Sequence, residues 1–287
     1  MTVIFRRMVV VGVGLIGGSL ALAARKHGLV EEVIGVGRGE KNLRFARRQG
    51  IIDRYVLRET DIPVDTDLLM LATPVQTTVP LTAAFLPVLQ PGCIISDVGS
   101  VKAEIVRGME RLLPSDILFV AGHPIAGGEQ WGSQAAKSDL FVGHRCILTP
   151  TKKTNPSALR KVILLWRRVG AKVELMDPQI HDRVMGVISH LPHVLVYALV
   201  SVLARTRVRG IDLKTYCAGG FKDFTRIASS RPELWRDICL MNHRAIGQSL
   251  EDYIRYLEKL KRWIEEGNGA WLEKEFTRAN QVRAQIA

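Results

Sequence analysis

Cysteine is scarce and scattered: Cys93, Cys146, Cys217 and Cys239 are the four in 287 residues, with no C-x-x-C spacing. That argues against both a disulfide framework and a zinc ribbon. The chain also lacks an internal repeat and any low-complexity segment. Its apolar runs read as falling short of the roughly 18–20 uncharged residues that span a bilayer, so no membrane role is expected. The opening Met1-Thr-Val-Ile-Phe-Arg-Arg7 enters a strand-like run at once, which leaves no room for a signal peptide and makes the cytoplasm the expected location. Hydrophobic residues at 47% and charged residues at 24% rule out a disordered chain. At roughly 100–200 residues per domain the length suggests two domains, each with a core that needs no staple.

Acidic charge is in deficit, and the deficit is local. The formal charge is +12, but residues 1–150 are near neutral, with 16 basic and 14 acidic side chains, whereas residues 151–287 carry 24 and 14. The basic residues of the second half are spread along helical stretches, with only short runs such as Arg205–Arg209 and Lys259–Arg262. No nucleic-acid module or dense basic stripe is visible, so solvated helix faces and a small anionic substrate are the expected explanations.

The first half alternates short apolar runs with helical periodicity: Val9–Val11 then Leu15–Lys26, Val33–Val36 then Glu40–Gln49, Leu68–Leu71 then Val79–Leu89, Cys93–Ser96 then Val101–Leu113. This is the pattern of βαβ units and a parallel sheet. Further strands are expected at Phe119-Val120 and Cys146–Thr149, and a last helix–strand pair within Leu159–Glu174. Beyond Asp177 almost everything reads as amphipathic helix: Ile180–Ser189, Val194–Arg205, Leu234–Leu260 and Trp271–Gln285. Pro192, Gly219-Gly220 and Gly267–Gly269 act as breaks. The expected fold is an α/β Rossmann-type doubly wound parallel sheet domain over 1–175, followed by an all-α domain over 176–287.

Gly12-Val13-Gly14-Leu15-Ile16-Gly17 directly follows a strand and opens a helix. In a dinucleotide site Gly12 would make the tight turn, Gly14 would admit a pyrophosphate, and Gly17 would let helix and strand approach. The first helical N–H groups, at Leu15 and Ile16, would then face the anion. A ligand-free glycine turn, or another nucleotide such as S-adenosylmethionine, would use the same string. Thr73-Pro74 closes a neighbouring strand at the same sheet edge. Where a carboxylate would bind the ribose 2′-hydroxyl, the chain has Gly37-Arg38, which leans the choice between NAD and NADP toward NADP. If Arg38 only stacks on adenine, NAD stays usable.

Three further strings carry polar groups where an enzyme would want them. Asp97–Lys102 lies past the end of a strand; its Ser100 could serve catalysis or merely cap the next helix. Gly122–Glu129 holds His123 in a stiff glycine-rich loop. Ser189-His190-Leu191-Pro192-His193 and Gly219–Arg226, with Trp235, lie on the helical side.

Together, in this order and spacing, these strings resemble the prephenate and arogenate dehydrogenases of tyrosine biosynthesis, from about residue 8 to at least 250. The resemblance implies a nicotinamide-binding domain, a helical dimerisation domain and a site between them for a small dicarboxylate, with no metal and with the chain a homodimer. It implies His123 as the catalytic base, with Ser100 beside it at the substrate hydroxyl. Arg226 would hold a substrate carboxylate; His193, Lys222 and Trp235 would line the pocket, with Glu129 at its rim. It also implies hydride transfer to NAD(P), giving 4-hydroxyphenylpyruvate from prephenate or tyrosine from arogenate. At this length, neither the mutase nor the regulatory domain fused in some relatives is expected. Another two-domain β-hydroxyacid-type dehydrogenase, or a nicotinamide-sensing regulator, would share the glycine motif. The first has no reason to carry the strings Gly122–Gly127 and Ser189–His193, and the second does not need His123, Ser100 and Arg226 together.

Overall fold

The structure is a computed structural model that describes residues 2–128 and 130–286. Its organising element is β1 (Phe5–Val11), where Met8, Val9 and Val10 are fully buried, as a strand covered on both faces must be. It pairs in parallel with β2 (Val30–Val36) on one side and β4 (Leu68–Leu71) on the other. With β3 (Arg54–Val56), β5 (Ile94–Asp97) and β6 (Leu118–Val120), the order is β3-β2-β1-β4-β5-β6. The order reverses between β1 and β4, and ligands bind outside the carboxyl ends of the strands at such a reversal. The connecting helices are α1 (Leu15–Lys26), α2 (Glu40–Arg48), α3 (Thr78–Phe85) and α4 (Ala103–Leu112).

Apolar clusters cover both faces of the sheet. One gathers Phe5, Met8, Leu20, Phe141 and Trp166; the other gathers Val9, Ile34, Leu69, Phe85 and Ile105 and takes in Trp235 and Ile238 from the helical part. The parallel α/β layer expected from the sequence is present.

A second, three-stranded sheet departs from that expectation. It contains β7 (Gly122–Pro124), antiparallel to β8 (Arg145–Leu148), which is parallel to β9 (Lys172–Leu175) beyond α5 (Pro156–Arg168). His123 therefore sits in a strand, opposite Ile147, and not in the loop that its glycine neighbours suggested. Three residues are too few to show alternation, and the edge position tolerates Pro124 because its missing N–H faces away from the ladder.

After β9 the regular elements among the described residues are helices, apart from one isolated bridge between Val208 and Ile211. They are α6 (Pro178–Met185), α7 (Leu191–Arg205), α8 (Gly219–Thr225), α9 (Pro232–Met241), α10 (His243–Glu265) and α11 (Gly269–Ala284).

Three sequence expectations are corrected here. Pro192 does not break the helix: α6 runs into α7 through a π-helical turn at Gly186–His190. The wider turn relieves the clash a proline ring makes with the carbonyl four residues back. The expected helix Leu234–Leu260 is two, because Asn242 (φ −109°, ψ 29°) ends α9. Finally, Pro178–Arg205 is a 28-residue helix whose most apolar 18-residue window has mean hydropathy 1.9, long and apolar enough to cross a membrane by those measures. His190, Pro192 and His193 punctuate that run, but the flanking Val, Leu and Ile outweigh them. The helical stretch packs on α4 through α6 and on α10 through the π turn, and it leaves Val187, Ile188 and Val202 exposed.

Candidate active site

The glycine turn has the geometry that its spacing suggested. Gly12 has φ +92°, and a Cβ there would lie 2.4 Å from the Ala72 carbonyl oxygen. A Cβ on Gly17 would lie 2.3 Å from the Gly12 carbonyl oxygen, so α1 approaches β1 as only glycine allows. Gly14, the N-cap of α1, instead has open space beside it, and the first turn contains no acidic residue. The leading N–H groups, including those of Leu15 and Ile16, lack intrahelical partners, and the helix dipole favours an anion there. Space and donors together fit a dinucleotide pyrophosphate.

Thr73 is half-buried just past β4, where its hydroxyl accepts a hydrogen bond from the Thr77 hydroxyl at 2.9 Å. Exposed Pro74 leads into the 3₁₀ turn Val75–Thr77. Arg38 is exposed beyond the end of β2, after Gly37. β1 and β4 are hydrogen-bonded neighbours, so Gly12 and Thr73 meet at one sheet edge.

At the end of β5 lies a buried polar knot. Lys102 is fully buried; its ammonium pairs with Asp97 and donates to the Gly122 carbonyl at 2.7 Å. Burial pulls the Lys102 ammonium below its ordinary value, and Asp97 opposes that pull. The Asp97 carboxylate also accepts from Gly99 N–H at 2.9 Å and Gly122 N–H at 3.2 Å. The knot thus fixes the start of β7, the strand that carries His123.

His123 is half-buried, and its Nδ1 lies 2.9 Å from Nε2 of His181 on α6. The rings meet edge to face, with centroids 5.1 Å apart. His181 Nδ1 in turn lies 2.8 Å from Asp182 Oδ1. Burial, reinforced by His181, Lys102 and His190, holds His123 well below the usual imidazole range. Its Nε2 has no protein partner among the described residues and is not sealed from solvent.

Ser100 is half-buried between β5 and α4, and it does not cap α4. That task falls to Asp182, whose carboxylate accepts from Lys102 N–H at 2.8 Å and Ala103 N–H at 2.9 Å.

On the helical side, His193 stacks on Trp235, with centroids 3.5 Å apart and planes 19° from parallel. Its Nδ1 donates to the Ser189 carbonyl at 2.9 Å, which leaves Nε2 bare on the neutral ring. Burial also lowers this histidine. Trp235 is buried and also meets His190 edge-on. Lys222 is exposed on α8, and Arg226 is exposed at the start of the following 3₁₀ turn; both segments pack on α7. Glu129 lies outside the described residues.

The structure thus draws His123, His190, His193 and Trp235 toward one another, while Lys222 and Arg226 stand on an exposed segment. Sequence reasoning overlooked His181, Asp182, Lys102 and Asp97 as individual players. A signal for two of them was present. Pro178, His181, Asp182 and Met185 share the buried stripe of α6, and a histidine–aspartate pair where a helix should present apolar side chains marks a structured polar contact.

A doubly wound sheet with a dinucleotide-shaped glycine turn, joined to a helical part through a histidine array, defines a class: a Rossmann-type nicotinamide-dependent oxidoreductase. Family models place it more closely. Prephenate dehydrogenase, nucleotide-binding domain, matches residues 20–175, and prephenate dehydrogenase, dimerization domain, matches residues 177–278. The chain belongs to the prephenate dehydrogenase family.

It is 36% identical to prephenate dehydrogenase of Bacillus subtilis over 95% of this chain and 74% of that one. It is 33% identical to cyclohexadienyl dehydrogenase of Zymomonas mobilis over 98% and 96%. Among solved structures, prephenate dehydrogenase from Aquifex aeolicus, in complex with hydroxyphenyl propionate and NAD+, superposes with a TM-score of 0.94 at 36% identity, covering 98% of each chain. Arogenate dehydrogenase of Synechocystis gives 0.83 at 31% identity, covering 98% of this chain and all of that one.

Proposed function

We infer that this chain catalyses the oxidative decarboxylation of prephenate to 4-hydroxyphenylpyruvate with NAD(P), a step of tyrosine biosynthesis. The observation that carries the reading is His123: a neutral imidazole at the sheet edge, held through Nδ1 and accessible at Nε2. Such a group can take a hydroxyl proton at neutral pH.

His123 Nε2 accepts the proton of the ring C4 hydroxyl as C4 is oxidised, and Ser100 hydrogen-bonds the same oxygen. When bound, the nicotinamide cofactor would supply the acceptor for the hydride that leaves C4. The ring carboxylate then leaves as CO2, and its bonding electrons aromatise the ring. The resulting phenolate recovers the proton from the His123 imidazolium, so no additional acid is needed. Arg226 suits a substrate carboxylate because its planar fork pairs with both oxygens. His193, stacked on Trp235, lines the pocket with Lys222.

Gly12, Gly14, Gly17, Leu15, Ile16, Thr73 and Pro74 would hold the dinucleotide. Arg38 supports acceptance of a 2′-phosphate, so NADP should serve at least as well as NAD. The exposed apolar face around Val187, Ile188 and Val202 supports a homodimer through the helical domain, in keeping with the dimerization-domain match. We read the domains as 1–175 and 176–287 and the location as cytoplasmic.

The deciding assay crosses prephenate and arogenate with NAD and NADP and follows the absorbance of reduced cofactor. Turnover of prephenate is expected. Turnover of arogenate alone would transfer the reading to arogenate dehydrogenase, and no turnover in any combination would refute both.

A further inference from the structure

We propose that His181 and Asp182 are positioning residues that set the tautomer of His123, leaving its Nε2 as the bare, proton-accepting nitrogen. This rests on the reading of His123 as the base and adds to it the device that makes it one.

The inference follows from counting hydrogens along the chain of contacts. Asp182 receives two backbone N–H groups at the start of α4, from Lys102 and Ala103. Anionic charge is favoured at that position, and an ionised carboxylate can only accept. The 2.8 Å contact with His181 therefore places the hydrogen on His181 Nδ1. Burial keeps the His181 ring toward its neutral form, so its Nε2 carries a lone pair. Only one arrangement then makes the 2.9 Å contact between the rings a hydrogen bond: His123 donates from Nδ1. A neutral His123 with its hydrogen on Nδ1 has none on Nε2.

The same carboxylate that orients His181 on α6 caps α4, so the device joins the helical part to the sheet. It needs no titration of its own, because both imidazoles keep their Nδ1 hydrogens while substrate is absent. A wrong tautomer is costly: in the serine-protease triad it lowers kcat roughly 10⁴-fold.

The test uses the whole chain, first without cofactor or substrate. With ring-¹⁵N-labelled histidine, His123 should show a protonated Nδ1 and an unprotonated Nε2; the opposite assignment overturns the proposal. His181→Leu removes the acceptor, and His181→Gln restores it, because the glutamine carbonyl oxygen reaches near the place of Nε2.

His181→Leu should lower kcat roughly 10- to 1000-fold, with KM and cofactor affinity changed less than about threefold. The His123 ring should move toward the Nε2–H form. His181→Gln should recover most of both. The groups facing His123 are His181 from α6, Lys102 before α4 and His190 from the π turn, so the acidic limb of kcat/KM is recorded for each variant.

Unchanged kcat and tautomer in His181→Leu overturn the proposal. If that variant does not fold, the wild-type tautomer and the Gln variant still decide it. If His123→Asn proves fully active, the base assignment fails instead, and the ¹⁵N spectrum of wild type tests the tautomer separately.

Discussion

The Lys102 ammonium and the Asp97 carboxylate are paired with neither side chain exposed to solvent, and the ammonium also holds the Gly122 carbonyl at 2.7 Å. Removing one member of a buried pair strands the other charge, which typically costs about 3–5 kcal/mol, whereas removing both is much milder. Lys102→Met should therefore lower the urea midpoint sharply, and Asp97→Asn combined with Lys102→Met should regain most of the loss. An unchanged midpoint in Lys102→Met would show that the pair does not hold β7 in place.

Why some of this was legible and some was not has physical roots. The parallel sheet shows in sequence because buried strands are continuous apolar runs, and Gly12–Gly17 shows because close approach and positive φ demand glycine. His123, Ser100, His193 and Trp235 stand out through the strings that contain them. β7 was hidden because a three-residue edge strand containing Pro124 has no periodicity. The break at Asn242 was hidden because its cause is tertiary: its amide donates to the Asp182 carbonyl and to His190 Nδ1. The same holds for His181 and Asp182, whose partners are 58 and about 80 residues away in sequence.

The glycines of the turn should separate folding from cofactor binding. At Gly12, alanine meets both a φ of +92° and the backbone oxygen of Ala72, so Gly12→Ala should lose about 2 kcal/mol or more of stability. At Gly14 nothing opposes a Cβ. Gly14→Ala should keep its stability within about 0.5 kcal/mol and yet weaken cofactor binding about tenfold or more, because the methyl occupies the pyrophosphate's approach. Denaturant titration and fluorescence titration with NAD and NADP measure the two effects. Equal cofactor affinity in Gly14→Ala would move the pyrophosphate elsewhere.

His123→Asn should lower kcat/KM by roughly 10²- to 10⁴-fold while cofactor affinity holds, since the glycine turn does not depend on it. The wild-type pH profile gives an independent check. A base works only unprotonated, so activity falls as pH drops through its pKa. Burial with His181, Lys102 and His190 lowers that pKa, so kcat/KM should stay level across neutral pH and decline only well below 6.5. A limb at or above the ordinary histidine value would contradict the desolvated environment of the ring.

His190 should make the fold sensitive to acid. It is buried, it accepts from the Asn242 amide through Nδ1, and burial pushes its pKa down to about 4. In the unfolded chain a histidine titrates near 6.5. Between these values the unfolded state binds a proton that the native state refuses, so stability rises with pH in that window. The contribution is complete above about pH 6.5 and is lost as pH falls toward about 4. His123, His181 and His193 are lowered as well and act with the same sign. His190→Asn keeps an acceptor for Asn242, its Oδ1 lying near the place of Nδ1, but cannot titrate, so its stability should fall less steeply, by up to one proton or about 1.4 kcal/mol per pH unit. Urea midpoints at several pH values between 4 and 7 compare the slopes, and parallel slopes for wild type and variant would mean that His190 titrates alike in both states.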